Sequence, residues 1–158
     1  MADIVAAGFI VVRLTETLSE TPSEKLLPEL AGRNYEFLLL KSRAYEEWGF
    51  PKGHKNSEEE RIEDCAWREL KEEAALTPSN VRLLAERPVR VEYEVELEQE
   101  IGLKEVYYFL AELVEGEPVI STEHSEFGFF SPADTFEMVQ HENLQLLIRF
   151  FCQNHKSI

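Results

Sequence analysis

The stretch that decides the fold runs from Trp48 to Leu76 and reads WGFPKGHKNSEEERIEDCAWRELKEEAAL. A Pro-Lys-Gly-His turn leads into a segment that is dense in glutamate and is interrupted by Arg61, Trp67 and Arg68. An acidic run of this kind usually forms the solvated face of a helix. The segment therefore raises one question, which is whether its carboxylates are only solvated or are arranged to hold a ligand.

A helix is predicted over about residues 57–75, and Ser57 with Glu60 has the spacing of a capping box at its start. With roughly 100° of rotation per residue, this helix has an apolar stripe on one side and a solvent-facing side opposite to it. The stripe consists of Ala66, Trp67, Leu70 and Ala74, and the solvent-facing side consists of Arg61, Asp64, Arg68 and Lys71. Glu69 and Glu73 lie next to the stripe instead of joining the solvent-facing side.

The acidic residues of the helix divide into two groups. Solvation explains the first group, which consists of Glu58, Glu59, Glu63 and Asp64. It explains Glu69 and Glu73, flanked by Glu72, less well, because like charges four residues apart repel and burial adds a desolvation cost. A raised pKa, or pairing with Arg68, relieves part of that cost. A divalent cation relieves it more fully, since hard oxygen ligands suit Mg²⁺ or Mn²⁺, and spacing alone leaves these alternatives open.

The rest of the sequence predicts one α/β domain over residues 1–158, with a mixed sheet packed between helices. Strand patterns cover residues 4–14, 35–41, 89–99 and 105–114. Ile101 and Gly102 lie near the predicted turn between the last two strands. A short helix is predicted to start at Ser131-Pro132, and helical spacing of apolar residues predicts another over 142–151. The polar segment 15–34, which contains two prolines and a glycine, is predicted to be a long, mobile loop inserted into the domain.

The charge balance restricts the class of partner. The net charge is −15, from 31 acidic and 16 basic residues, which argues against stable nucleic-acid binding, because a phosphate backbone requires a cationic surface. An anionic substrate would require a bound cation. Cys65 and Cys152 stand alone, as in proteins of a reducing compartment, and the apolar N-terminal run is too short to span a bilayer. We therefore expect a cytoplasmic protein with no membrane association.

The second half of the acidic segment, RELKEEAAL, resembles the end of the Nudix box. That pattern is a glycine, five residues, a glutamate, seven residues, Arg-Glu, an aliphatic residue, any residue, Glu-Glu, any residue, a glycine and an aliphatic residue. The matching residues are Arg68, Glu69, Leu70, Glu72, Glu73 and Leu76.

Two features depart from the pattern. The interval from the leading glycine, Gly53, to Arg68 is one residue longer, and the extra residue is expected in the loop 55–59. Glu60 is therefore the expected first glutamate of the box, with Glu59 as its rival. Ala75 stands where the pattern has glycine, so the helix is expected to end differently, since glycine there adopts the left-handed conformation.

The resemblance extends along most of the chain. The segments AAGFIVVR, YEFLLL, PKGH, KEVYYFLAEL and STEHSEFGFFSP occur in the order seen in a branch of the Nudix hydrolases, the asymmetric diadenosine tetraphosphate hydrolases. The resemblance implies a Nudix-type α/β/α sandwich with a central mixed β-sheet. It also implies hydrolysis of a small nucleotide substrate with Mg²⁺ as cofactor and Mn²⁺ as a possible substitute.

The resemblance also assigns roles to residues. The metal ligands it implies are Glu69, Glu72, Glu73 and the carbonyl of Gly53. Arg68 would orient Glu69, Glu60 would be an outer ligand, and the general base would be Glu69 or Glu123. The expected substrate-binding residues are Lys52, His54, Arg43, Lys104, Tyr108 and Phe129, of which the last two would stack on a nucleobase. His141, His155 and both cysteines carry no functional signal in the sequence.

The activity expected from the resemblance is hydrolysis of diadenosine tetraphosphate to ATP and AMP by attack of water on a phosphorus. Removal of pyrophosphate from RNA 5′ ends, or hydrolysis of another nucleoside diphosphate derivative, is the alternative within the same class. A Nudix-fold binding module without catalysis is the alternative outside it. The oligomeric state is not determined by the sequence.

The division of the acidic run into two groups predicts different outcomes for two conservative substitutions. Glu73→Gln should abolish hydrolysis, because it removes a carboxylate placed to hold a cation, whereas Glu63→Gln should change it little. Steady-state hydrolysis of a nucleotide substrate under identical Mg²⁺ would check both. Unchanged hydrolysis by the Glu73 variant would show that the metal assignment is wrong.

Overall fold

The computed structural model describes residues 3–17 and 33–155, except for the side chains of residues 16, 17, 33 and 150–155. The strands are β1 (Ile4–Thr17), β2 (Arg33–Ser42), β3 (Trp48–Gly49), β4 (Lys52–His54), β5 (Val81–Leu83), β6 (Val89–Leu97), β7 (Glu100–Leu113) and β8 (His124–Phe130). The helices are α1 (Ile62–Ala74), α2 (Pro132–Met138) and α3 (Glu142–His155). None of the helices in this described part has the length and apolar character needed to span a bilayer.

All the strands belong to one mixed sheet with β1 at its centre. β1 runs parallel to β7 and antiparallel to β2 and β4. β2 also pairs with β3 and β8, and β7 also pairs with β5 and β6, in each case antiparallel. This order brings β4, which carries Lys52 to His54, against β1 near the middle of the sheet.

The sheet has a hydrophobic core on each face, because successive side chains of a buried strand point to opposite sides. One core contains Ile10, Phe37, Leu39 and Leu110 and is covered by Leu144 and Ile148 of α3. The other contains Phe9, Leu38, Leu40 and Phe109 and is covered by Ala66, Leu70 and Ala74 of α1. The predicted α/β/α sandwich is therefore confirmed, with α1 on one face and α3 on the other.

The start of α1 differs from the prediction. The helix begins at Ile62 and not at Ser57, and its N-cap, Arg61, makes no side-chain capping hydrogen bond. The predicted capping box does not form, because the Glu60 carboxylate accepts a hydrogen bond from the backbone N–H of Asn56 at 2.7 Å instead. The segment before the helix is therefore a loop, and Glu60 belongs to that loop.

The end of α1 also differs from the expectation. Ala75 adopts the left-handed conformation with φ 59° and ψ 32°, the conformation that glycine would have there. Its N–H donates to the carbonyl of Lys71 at 3.0 Å, and the N–H of Leu76 donates to that of Leu70 at 3.5 Å. The helix thus ends as a glycine-capped helix does, with an alanine in a strained conformation.

Three further boundaries shift. Residues 15–17 belong to β1 and residues 33–34 to β2, so the predicted loop is shorter at both ends, and residues 18–32 lie outside the described part. The turn between β6 and β7 is formed by Glu98 and Gln99, so that Ile101 and Gly102 lie within β7. The predicted start of α2 is confirmed, because the Ser131 hydroxyl accepts a hydrogen bond from the N–H of Asp134 at 3.1 Å.

Replacing Ala75 by glycine should stabilise the protein. A left-handed alanine costs about 1–2 kcal/mol, and glycine removes that strain while adding some unfolded-state entropy, so a net gain of about 0.5–1 kcal/mol is expected. Ala74→Gly is the matched control, since Ala74 is a buried helical residue, and it should lower stability by about 1 kcal/mol. Urea unfolding measures both, and an Ala75→Gly midpoint at or below that of the wild type would contradict the assigned strain.

Candidate active site

Two adjoining cavities open at the end of α1 nearest β4. The first, here called the carboxylate cavity, has a volume of about 690 Å³. Its lining includes Lys52, Gly53, His54, Arg68, Glu69, Glu72, Glu73, Lys104 and Glu123. The second, here called the aromatic cavity, has a volume of about 530 Å³ and includes Tyr45, Trp48, Phe50, Tyr93, Tyr108 and His141 in its lining. Lys52, Glu73 and Glu123 line both cavities, so the two adjoin at these residues.

Glu69 is packed directly against Gly53. The residue is 8% exposed, and a Cβ atom built on Gly53 would lie 2.0 Å from the carboxyl carbon of Glu69. Only a residue without a side chain leaves room for the carboxylate at this point of β4. Burial raises the pKa of Glu69, and the hydrogen bond from Arg68 opposes that rise.

Arg68 connects the loop before α1 to the helix. Its Nε and Nη2 donate to the two carboxylate oxygens of Glu60 at 2.8 and 3.0 Å, and Nη2 also donates to the carbonyl of His54 at 3.0 Å. Its Nη1 donates to Glu69 Oε2 at 2.8 Å and lies 3.4 Å from Glu72 Oε1. The predicted orientation of Glu69 by Arg68 has the contact that it requires.

Helical spacing predicted that Arg68 lies on the solvent-facing side of the helix, and this prediction is wrong. Its side chain is only 23% exposed, because the loop before the helix folds over it. The same contacts distinguish the two rivals for the first glutamate of the box, since Glu60 binds Arg68 and Glu59 is exposed. Hydrogen bonding to Arg68, more than any other cause, lowers the pKa of Glu60 to about 2.

Glu73 lies between the two cavities. Its Oε1 accepts a hydrogen bond from the backbone N–H of Lys52 at 3.2 Å and lies 3.9 Å from His124 Nε2. Burial raises the pKa of the Glu73 carboxyl to about 7, because desolvation outweighs the hydrogen bond from Lys52. In the absence of a cation Glu73 therefore keeps its proton to a higher pH than an ordinary carboxyl does.

The donor set suits a hard divalent cation. Glu69, Glu72, Glu73 and Glu123 present carboxylate oxygens to one cavity, which is the chemistry that Mg²⁺ and Mn²⁺ select. The close fit of Glu69 on Gly53 also brings the β4 backbone to the ligands. The carbonyl of Gly53 accepts a long hydrogen bond, 3.5 Å, from the Cys65 thiol. Among the described residues, no three side chains of the His, Cys, Asp and Glu types are grouped as a preassembled metal centre.

Three of the predicted substrate-binding cations lie together. Lys52, His54 and Lys104 line the carboxylate cavity, although Lys104 is 52 residues from Lys52 in the chain. Burial, followed by the charge of Lys52, lowers the pKa of Lys104 to about 8. Burial, followed by the charges of Lys104 and Lys52, lowers the pKa of His54. A bound polyanion would relieve this repulsion among the cations.

The other three predicted substrate-binding residues are placed differently. Arg43 borders the aromatic cavity, but its guanidinium donates to the carbonyls of Thr122 and His124. Phe129 lines neither cavity; it packs on the α1 face of the sheet, with the Arg13 guanidinium 3.8 Å from its ring centroid. Tyr108 is 1% exposed, too buried to offer a ring face for stacking.

The hydroxyl of Tyr108 nevertheless matters. Among the described residues it is the one buried side-chain nitrogen or oxygen without a hydrogen-bond partner, and it belongs to the lining of the aromatic cavity. Buried polar groups are nearly always paired, so an unpaired hydroxyl at a cavity wall indicates a partner supplied by a bound water or a ligand.

The sequence analysis did not identify the aromatic pair in this cavity. The rings of Tyr93 and His141 stack with centroids 4.1 Å apart and planes inclined by 13°. Tyr93 lies on β6 and His141 directly precedes α3, so the pairing depends on packing between distant segments. The available signal was that Tyr93 shares the apolar face of the alternating strand with Val91 and Val95.

The chain is similar to proteins of the NUDIX domain family. The model of the NUDIX domain family matches residues 27–150, whereas no curated protein matches the chain. A crystal structure of a C. elegans Ap4A hydrolase binary complex has a TM-score of 0.71 and 26% identity, covering 95% of this chain and 96% of that one. A second crystal structure of C. elegans Ap4A hydrolase has a TM-score of 0.67 and 25% identity, covering 97% of this chain and 98% of that one.

A more distant structure shares the fold alone. The NUDIX domain of Shewanella oneidensis NrtR, complexed with ADP ribose, has a TM-score of 0.63 and 17% identity, covering 97% of this chain and 88% of that one.

The raised pKa of Glu73 predicts a pH-dependent stability in the metal-free protein. Its carboxyl titrates near 7 when folded and near 4.5 when unfolded, so stability falls as pH rises from about 4.5 to 7 and then levels off. Glu73→Gln should remove this loss and raise the free energy of unfolding at pH 8.5 by up to roughly 3 kcal/mol. Glu63→Gln is the control and should follow the wild type.

The measurement is urea unfolding with EDTA at pH 5 and pH 8.5. Excess Mg²⁺ should stabilise the wild type at pH 8.5 and leave the Glu73 variant nearly unchanged, since a cation that binds only the folded state adds its binding free energy to stability. A Glu73 variant less stable than the wild type at pH 8.5 without metal would contradict the prediction.

Proposed function

The chain belongs to the NUDIX domain family, and on that premise we propose that it is a Mg²⁺-dependent hydrolase of dinucleoside polyphosphates. The principal substrate is diadenosine tetraphosphate, which is cleaved to ATP and AMP. The observation that carries the proposal is that the carboxylate and aromatic cavities adjoin, with Lys52, Glu73 and Glu123 in the lining of both. A ligand that carries both a charged polyphosphate and an aromatic base would use the two cavities together. Similarity to the C. elegans Ap4A hydrolase over nearly the whole chain supports the same choice.

The polyphosphate lies in the carboxylate cavity. Lys52 and Lys104 are the cations that face it, with His54 beside them, and at neutral pH a lysine with a pKa of about 8 is still mostly charged. The residues that would hold Mg²⁺ are Glu69, Glu72 and Glu73 with the carbonyl of Gly53. When bound, the cation neutralises phosphate oxygens and lowers the pKa of a bound water.

A carboxylate of the chain then accepts the proton of the attacking water. The water oxygen forms a bond to phosphorus while the bond from that phosphorus to a bridging oxygen breaks, and the electron pair leaves with the departing phosphate. Glu69 and Glu123 are the two candidate proton acceptors, and both line the cavity. The raised pKa of Glu69 makes it a stronger base than an ordinary carboxylate, whereas its hydrogen bond from Arg68 at 2.8 Å occupies one oxygen.

The nucleoside lies in the aromatic cavity. Its volume of about 530 Å³ is within the range of small-ligand sites, and the stacked Tyr93 and His141 rings provide flat surfaces for a nucleobase. The unpaired hydroxyl of Tyr108 supplies a donor inside the same cavity. Tyr108 would thus contact the nucleoside through its hydroxyl and not through its ring face, and Tyr93 takes over the stacking role first assigned to Tyr108 and Phe129.

The substrate choice is tested by competition among nucleotide classes. Diadenosine tetraphosphate, ADP ribose and 5′-triphosphorylated RNA are offered at equal concentration with identical Mg²⁺, and the products are separated by chromatography. Diadenosine tetraphosphate should be hydrolysed fastest and should yield ATP and AMP, because it alone fills both cavities without extending over a surface of net charge −15. Water labelled with ¹⁸O then identifies the phosphorus that is attacked.

Each other result of this competition leads to a different conclusion. Faster turnover of the RNA or of ADP ribose would overturn the substrate assignment but not the family. Absence of hydrolysis with all three, together with retained nucleotide binding, would establish a binding module. Glu73→Gln and Glu63→Gln serve as the inactive and active controls in every reaction.

A further inference from the structure

Arg43 binds three consecutive backbone carbonyls. Its Nε donates to the carbonyl of Thr122 at 3.0 Å and its Nη2 to that of His124 at 3.2 Å. Its backbone N–H donates to the intervening carbonyl, that of Glu123, at 2.8 Å. One residue therefore fixes the main chain on both sides of Glu123 as well as at Glu123 itself.

The strand pairing explains how Arg43 reaches this turn. Arg43 directly follows β2, and β2 pairs with β8, which begins at His124. The register shifts between Lys41 and Ser42, the last pairs of this ladder, and the chain that follows β2 then lies beside the turn that precedes β8. The side chain of Arg43 is largely exposed, but its planar fork matches two carbonyls separated by one residue.

The turn that Arg43 holds has a direct connection to the carboxylate cavity. The N–H of Ser121 donates to the carbonyl of Glu73 at 3.3 Å, and the Ser121 hydroxyl accepts from the N–H of Glu123 at 3.3 Å. Glu123 lines both cavities from this turn. Its position relative to Glu73 therefore depends on one short exposed segment that is anchored by Ser121 on one side and by Arg43 on the other.

We propose that Arg43 is a positioning residue that holds the Glu123 carboxylate at the junction of the two cavities, and that it does not bind the phosphates of the substrate. The inference rests on the proposed function, in which Glu123 is a candidate proton acceptor. It replaces the expectation, drawn from the sequence, that Arg43 contacts substrate directly. The two donors that face the turn are already used by protein carbonyls.

The two roles differ in their kinetic effects. A phosphate ligand acts on binding, so its loss raises KM and a lysine restores much of the function. A residue that acts through Glu123 affects kcat, and a lysine, which lacks the fork, restores little. Its effect also disappears when Glu123 is already changed, because residues that act as a unit are not additive.

The experiment compares Arg43→Met, Arg43→Lys, Glu123→Gln and the double variant Arg43→Met/Glu123→Gln in hydrolysis of diadenosine tetraphosphate. Arg43→Met should lower kcat by about 10- to 100-fold with KM changed less than about threefold. Arg43→Lys should lie close to Arg43→Met, and adding Arg43→Met to Glu123→Gln should change kcat less than about threefold. Arg82→Met is the control, since Arg82 is an exposed arginine in an ion pair with Glu112 on β7, and it should match the wild type.

Several results would overturn the proposal. One is an increase in KM of about tenfold or more that Arg43→Lys reverses, and another is an additive loss in the double variant. A wild-type kcat in either Arg43→Met or Glu123→Gln would overturn it as well.

Amide hydrogen exchange provides a test that does not depend on activity. Arg43→Met should accelerate exchange in the peptide covering residues 121–126, whereas Arg82→Met should not. Unchanged exchange would overturn the positioning role even in an active enzyme. A wild type that hydrolyses no nucleotide would instead overturn the proposed function, and the exchange result would still decide whether Arg43 holds the turn.

Discussion

The arrangement of the site depends on the guanidinium of Arg68. The loop before α1 has no helical hydrogen bonds of its own, because the helix starts at Ile62. Arg68 supplies hydrogen bonds that hold this loop, since it donates to both oxygens of Glu60 and to the carbonyl of His54. The same group compensates the buried charge of Glu69. An arginine suits this position because its fixed fork binds several acceptors at once and remains charged in a partly buried setting.

The site also requires close contact between β1, β4 and α1, and two glycines, Gly8 and Gly53, make that contact possible. A Cβ on Gly8 would lie 2.1 Å from the carbonyl oxygen of Pro51, so β4 can lie against β1 only because Gly8 has no side chain. A Cβ on Gly53 would lie within the Glu69 carboxylate. Together they allow the paired strands β1 and β4 and the helix α1 to approach closely. The main chain of β4 and the carboxylates of α1 can then face one cavity.

Lysines line the site, although the chain as a whole is strongly acidic. The net charge is −15, yet burial, and after it the nearby charge of Lys52, lowers the pKa of Lys104 to about 8. Beside them, burial holds the pKa of Glu73 at about 7. Carboxylates and ammonium groups in unfavourable surroundings define a site that gains from binding a cation and a polyanion together.

The sequence by itself determined the fold class and the part of the site that lies within one helix and its lead-in turn. The spacing of Glu69, Glu72 and Glu73 beside an apolar stripe is a local property, because helical rotation fixes which residues share a face. The α/β class and the four predicted strands, which correspond to β1, β2, β6 and β7, followed for the same reason, from periodicities that extend over a few residues. The strands β3, β4, β5 and β8 were not predicted. The ends of α1 did not follow. At the start, Glu60 accepts a hydrogen bond from the N–H of Asn56 in place of the predicted capping box, and at the end Ala75 adopts the left-handed conformation.

Tertiary structure alone decided what surrounds that helix. Tyr93 meets His141, and Arg43 meets the turn at Glu123, across separations that no local period encodes. Such pairs depend on strand register and on packing between layers, and a shift of one residue in register would turn each side chain to the opposite face. For that reason Phe129 faces α1 and not the aromatic cavity, and Arg43 binds main-chain carbonyls.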